Sequence, residues 1–120
     1  MEKSYTFPKR MRLGGRGTFS AIFDRGVRNA KGPLLVVTAP NDVGHPRLGL
    51  SVPKRVGTAP KRNRIKRLVR EAFRLMQHDF PGGYDVVVVL RPHETATLAE
   101  YQRLLSGLVV KGVNAWGKRR

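Results

Sequence analysis

Residues 61–77 read KRNRIKRLVREAFRLMQ and carry two patterns at once. Ile65, Leu68, Val69, Ala72, Phe73 and Met76 recur at i, i+3, i+4, i+7, i+8 and i+11, the spacing of one face of an amphipathic helix that Pro60 opens. At about 100° per residue the same helix turns Asn63, Lys66, Arg67, Arg70 and Arg74 away from that stripe, with Arg64 and Glu71 on the flank. A solvated face normally mixes signs, because like charges at i, i+4 repel by a few tenths of a kcal/mol each. Here one acid stands among many bases, and Lys54, Arg55 and Lys61 precede them. The pattern reads as an anion-binding face. Arginine's planar fork bonds phosphate bidentately, and a free helix N-terminus offers backbone N–H groups to another anion.

Downstream, Pro81, Gly82 and Gly83 form a turn, and Tyr84 to Leu90 (YDVVVVL) reads as a short, largely buried strand ended by Arg91 and Pro92. Leu98, Tyr101, Leu104, Leu105, Leu108 and Val109 predict a final helix of about 15 to 18 residues. Upstream, Arg47 to Val52 alternates Leu48, Leu50 and Val52 against Arg47, Gly49 and Ser51, a strand with one buried face. Pro33 to Ala39 is a second extended piece, and the loop Pro40 to Pro46 predicts a hairpin between the two. A weaker strand falls near Val27 to Ala30. Phe19, Ile22 and Phe23 predict a short helix from Thr18, stopped at Gly26 as a left-handed cap. The expected organisation is a basic flexible arm over residues 1–17, then a single domain over 18–120. Its element order is αβββαβα, an α/β fold.

Among 120 residues, 24 are Lys or Arg and 8 are Asp or Glu, a formal net charge of +16. With 40% hydrophobic residues the chain can fold, so the charge belongs to a globular surface. Such a body calls for an anionic partner, nucleic acid first and a membrane face second. No cysteine is present, which removes disulfides and thiolate metal sites and fits a reducing compartment, with the cytoplasm as default. The amino-terminal residues carry no apolar stretch like a signal peptide's, and the longest apolar run, Val86 to Leu90, is far short of a bilayer span.

The string Arg62-Asn63-Arg64-Ile65-Lys66-Arg67-Leu68-Val69-Arg70-Glu71-Ala72-Phe73-Arg74, preceded by Leu48-Gly49-Leu50-Ser51-Val52 and Lys54-Arg55-Val56-Gly57, closely resembles the bacterial ribonuclease P protein subunit. The resemblance runs from about Leu13 to about Leu108 and includes the family's RNR signature. It implies a two-layer α/β (α+β) sandwich similar to the second domain of ribosomal protein S5, with a left-handed βαβ crossover through the RNR helix. It also implies that catalysis resides in an RNA subunit, in an endonuclease maturing the 5′ end of tRNA. Carried over by position, Arg62, Asn63, Arg64, Lys66, Arg67 and Arg70 would contact the catalytic RNA. Phe19, Phe23, Val37, Ser51, Lys54, Arg55 and Arg91 would fall in or beside a cleft for the 5′ leader of precursor tRNA. Val37 stands where the family often has an aromatic residue, which leaves apolar contact there in place of base stacking.

By spacing alone Phe19 and Phe23 are core residues, whereas the resemblance turns at least one of them toward the cleft. Trp116 is a core cap or an exposed stacking group, the cap favoured. His45, His78 and His93 lack ligand spacing and carry no metal role. A protein-based nuclease would need clustered carboxylates for two Mg²⁺ ions or a histidine pair. The acids Glu2, Asp24, Asp42, Glu71, Asp79, Asp85, Glu94 and Glu100 are dispersed. The protein alone is therefore expected to bind no cofactor, with Mg²⁺ at the RNA active site. The rival readings are a ribosomal or general RNA-binding protein, a protein-only nuclease and a basic membrane binder.

Overall fold

The computed structural model describes residues 6–80 and 82–118. They form α1 (Arg16–Arg25), β1 (Val27–Lys31), β2 (Leu34–Pro40), β3 (Arg47–Ser51), α2 (Ala59–Met76), β4 (Tyr84–Leu90) and α3 (Leu98–Lys118), with 3-10 turns at Lys9–Met11 and Lys54–Val56. The architecture is mixed α+β in the expected order αβββαβα. One sheet of four strands runs β1-β2-β4-β3, antiparallel except for the β3–β4 pair, which is parallel and joined through α2.

The hairpin expected across Pro40 to Pro46 does not form, because β4 inserts between β2 and β3. Burial explains the order. β4 is buried along nearly its whole length, on both faces, and a strand apolar on both faces gains most at the centre of a sheet. The strands VRNAK and RLGLS carry the polar positions and take the edges. The hairpin that does form joins β1 to β2.

Leu34, Val36, Leu48, Val86, Val88 and Leu90 point to one face, where they pack with Ile65, Val69 and Phe73 of α2 and Tyr101, Leu105 and Leu108 of α3. These are the apolar stripes read from the sequence. The other face of the sheet, through Val37, Ala39 and Val87, packs against Ile22 of α1. Thr58 caps α2 by accepting the Lys61 N–H at 3.4 Å, and Pro60 lies in the first turn, so the helix begins slightly before the expected start. The last helix is longer than predicted, reaching Lys118. Its far end is anchored where the Trp116 indole N–H donates to the Thr38 carbonyl at 2.9 Å, the cap role.

Two further expectations are corrected. The described part of the basic arm is docked: Met11 is buried, and the Leu13 N–H donates to the Leu48 carbonyl at 2.8 Å, continuing β3's edge. Apolar side chains spaced among the bases supply that anchor, while residues 1–5 lie outside the described part. Helix α1 starts at Arg16 rather than Thr18. Gly26 follows it with φ −81° and ψ 160°, extended rather than left-handed. Glycine is needed there for space, since a Cβ would collide with the Val37 side chain and the Ile22 carbonyl.

Candidate nucleic-acid interface

The first part of the surface is the outer side of α2. Burial of Ile65, Val69, Ala72, Phe73 and Met76 fixes the helix's rotation and leaves Asn63, Arg64, Arg67 and Arg70 exposed, with Arg62 and Lys66 half-buried. Arg62 is held at the base of the helix, its Nε donating to the Gly57 carbonyl at 3.2 Å. The single acid, Glu71, is taken by Arg74 one turn on, through two hydrogen bonds, one of them 3.0 Å from Nε to Oε2. That pairing holds the Glu71 carboxyl below its usual range. Among the described residues no carboxylate comes within ion-pair distance of Arg62, Arg64, Lys66, Arg67 or Arg70. The six residues that the resemblance assigns to RNA contact thus lie together on one helix, five of them cations without a counterion among the described residues.

The second part is the face of the sheet that carries α1. Strand register orders it into rows. Arg47, Asp85 and Ala39 form the first row, and Gly49, Val87, Val37 and Arg28 the second. Ser51, Val89, Leu35 and Ala30 form the third. Helix α1 crosses above the second row. At one end Phe19 sits on Gly49, where a Cβ would fall 2.6 Å from the ring's Cε1. At the other, the Arg28 guanidinium lies 5.7 Å from the centroid of the Phe23 ring. The two rings meet edge-on with centroids 6.5 Å apart. Both are half-buried, so each packs on the core and also shows an edge.

The third row is only partly covered: Ser51, Val89 and Leu35 are half-buried and Ala30 is exposed. Parallel pairing brings the C-terminal ends of β3 and β4 to one border of the sheet. Lys54 and Arg55 follow β3 there and Arg91 follows β4, all three exposed. Phe19, Phe23, Ser51, Lys54, Arg55 and Arg91 therefore belong to one apolar shelf with a cationic border.

Val37 does not. It is fully buried beneath Ile22 and Gly26, out of reach of any ligand, because α1 lies directly over its row. The accessible side chain on the same strand and face is Leu35, beside Val89. Leu35, Val89 and Arg28 were missed from sequence. Period-2 alternation puts Leu35 and Val37 on one face but does not say which of them a helix covers.

Two internal devices hold this scaffold. Buried Asp85 accepts from Arg47 at 2.7 and 2.9 Å and from Asn41 at 2.8 Å, tying the 41–46 loop to β3 and β4. Its bond raises the Arg47 guanidinium pKa further. Beyond Arg91, the His93 ring bridges the Arg91 carbonyl and the Tyr101 hydroxyl, each at 2.6 Å. That hydroxyl also accepts the Ala96 N–H at 3.2 Å. His93 serves structure here, and among the described residues no three metal-ligating side chains gather. Nor is any helix among them long and apolar enough to cross a membrane.

A basic α+β body with an arginine face on one helix and an apolar, cation-bordered shelf under another defines a protein built to meet RNA. The chain belongs to the ribonuclease P protein family: the family model described as Ribonuclease P matches residues 7–112. It is 40% identical over 103 residues to the ribonuclease P protein component of Photobacterium profundum, spanning 85% of this chain and 87% of that one. Among solved structures, the Thermotoga maritima RNase P protein matches with a TM-score of 0.76 at 31% identity, over 83% of this chain and 96% of that one. The Staphylococcus aureus RNase P protein matches with a TM-score of 0.74 at 33% identity, over 84% and 93% respectively. Membership of that family makes the chain an RNA-binding protein of tRNA processing.

Proposed function

We propose that the chain is the protein cofactor of ribonuclease P, binding the catalytic RNA through α2 and the 5′ leader of precursor tRNA on the shelf beneath α1. The observation that carries the first half is the set of five cations on α2 without carboxylate partners among the described residues. Each can neutralise a backbone phosphate and release its counterion. The second half is supported by the aromatic edges of Phe19 and Phe23 beside Leu35 and Val89. Single-stranded bases stack or pack on such a surface at roughly 1 to 3 kcal/mol per base, largely regardless of sequence. Lys54, Arg55 and Arg91 track the phosphates along the border.

In this reading the protein performs no bond cleavage. Mg²⁺ belongs to the RNA active site, where it would activate water and stabilise the leaving oxygen. Of its carboxylates, Asp85 is engaged by Arg47 and Asn41 and Glu71 by Arg74, and among the described residues no three metal-ligating side chains gather. The chain's contribution is to hold substrate and ribozyme together and to screen their mutual repulsion, in the cytoplasm.

The test is cleavage of precursor tRNA by purified protein with and without a cognate ribonuclease P RNA. Stimulated cleavage at the mature 5′ end only when the RNA is present is expected. Cleavage by RNA-free protein, lost on mutating an Asp or Glu, would overturn the reading in favour of a protein-only nuclease.

A further inference from the structure

On the other side of edge strand β1 lies a basic groove that neither proposed RNA site uses. A cavity of about 240 Å³ is lined by Lys31, Arg103, Leu104, Gly107, Leu108 and Lys111. Its floor is the buried pair Leu104 and Leu108, and its rim is three exposed cations. Arg103, Gly107 and Lys111 stand at i, i+4 and i+8, one stripe along α3. Gly107 leaves a notch between the two bases, with open space where a side chain would stand. Among the described residues no carboxylate pairs with Lys31, Arg103 or Lys111.

Position links this groove to the shelf. Ala30 ends the open third row on the α1 face, and its neighbour Lys31 points to the opposite face, into the groove. A chain that crosses the row from Ser51 to Ala30 reaches the β1 edge and meets Lys31 next. We propose that the α3–β1 groove binds the phosphate backbone of single-stranded RNA leaving the shelf over that edge. The inference rests on the shelf being the leader site, and it extends the leader's path around the sheet. Charge selects the occupant: three cations without carboxylate partners among the described residues fit successive phosphates around a notch, and the lining holds no aromatic side chain to stack a base, so recognition is of backbone rather than sequence.

The experiment uses the reconstituted holoenzyme and precursor tRNAs whose leaders increase stepwise, with mature tRNA as reference. Variants are Arg103→Ala/Lys111→Ala and Gly107→Glu, the latter placing a carboxylate in the notch. Gly107→Ala is the control, and melting curves accompany each variant. The groove variants should match wild type for mature tRNA and short leaders, yet bind long-leader precursors several-fold more weakly. The double variant's salt slope for long leaders should be shallower by about 1.4 units, at roughly 0.7 per lost contact on a single strand. Unchanged long-leader affinity and slope would overturn the inference while leaving the shelf intact. Equal loss for every RNA would overturn it in favour of a surface for the catalytic RNA. If wild type gains nothing from any leader, the shelf reading falls and this inference with it.

Discussion

The ring of Phe19 rests on the backbone of Gly49, with Cε1 and Cζ 2.6 and 2.8 Å from the point a Cβ would occupy. An edge-strand residue without a side chain thus sets the height of the aromatic edge over the shelf. Replacing Gly49 with Ala should displace the ring and cost about 1 to 3 kcal/mol of stability by overpacking. Affinity for leader-bearing precursor should fall, and affinity for the catalytic RNA should not. A double-mutant cycle checks the geometry: Phe19→Ala should relieve part of the Gly49→Ala cost, giving a coupling of at least about 0.5 kcal/mol. Strict additivity would contradict the contact.

Replacing Arg64 and Arg67 with Ala removes two exposed cations from α2 and touches none of its buried stripe. Stability should stay within about 1 kcal/mol of wild type. Binding to the catalytic RNA should weaken, with a salt slope shallower by about 0.9 per lost duplex phosphate contact. Titrations at several salt concentrations decide the matter, and an unchanged slope would reject the assignment.

Asp85→Asn tests the latch beneath the 41–46 loop. The amide keeps one acceptor oxygen, enough for Asn41 and the Arg47 Nε, but turns an NH₂ donor toward the Arg47 Nη2 that Oδ2 now accepts from, and it removes the charge. A loss of about 2 to 3 kcal/mol is expected, as for charge-assisted bonds at a buried site. Urea unfolding measures it. Hydrogen exchange should also speed up at the Asn41 amide, which donates to the Gly83 carbonyl at 2.6 Å in the same corner.

Tyr101 supplies a pH signature. Burial raises its phenol above the usual 10.0. The folded state therefore holds the proton more tightly than the unfolded chain, so this contribution is complete below about pH 10 and is lost as pH rises through the raised value. Tyr101→Phe should cost about 1 kcal/mol at neutral pH, because His93 and the Ala96 N–H lose a partner. The variant should then show a flatter decline in stability than wild type on the alkaline side. Parallel declines would exclude Tyr101 as the titrating group.

The sequence by itself determined the α2 face and most of the element order. Helical periodicity over Ile65 to Met76 dictates which side is buried, and the residues left over are necessarily the arginines, so the RNR surface needed no tertiary information. The strand YDVVVVL was equally legible, because its apolar side chains have only the core to occupy. Tertiary structure alone decided strand neighbours and the limits of the shelf. Sheet order depends on competition among strands for the doubly buried centre, and β4, far along the chain, displaced the local pairing across Pro40 to Pro46. Val37 and Leu35 share a face and a strand, yet the passage of α1 over one row buries the first and leaves the second partly open. The docking of residues 7–13 had the same origin. Met11 and Leu13 sit in a basic, glycine-rich stretch that favours no element of its own, and they are placed by the exposed edge of β3, a partner that local pattern does not reveal.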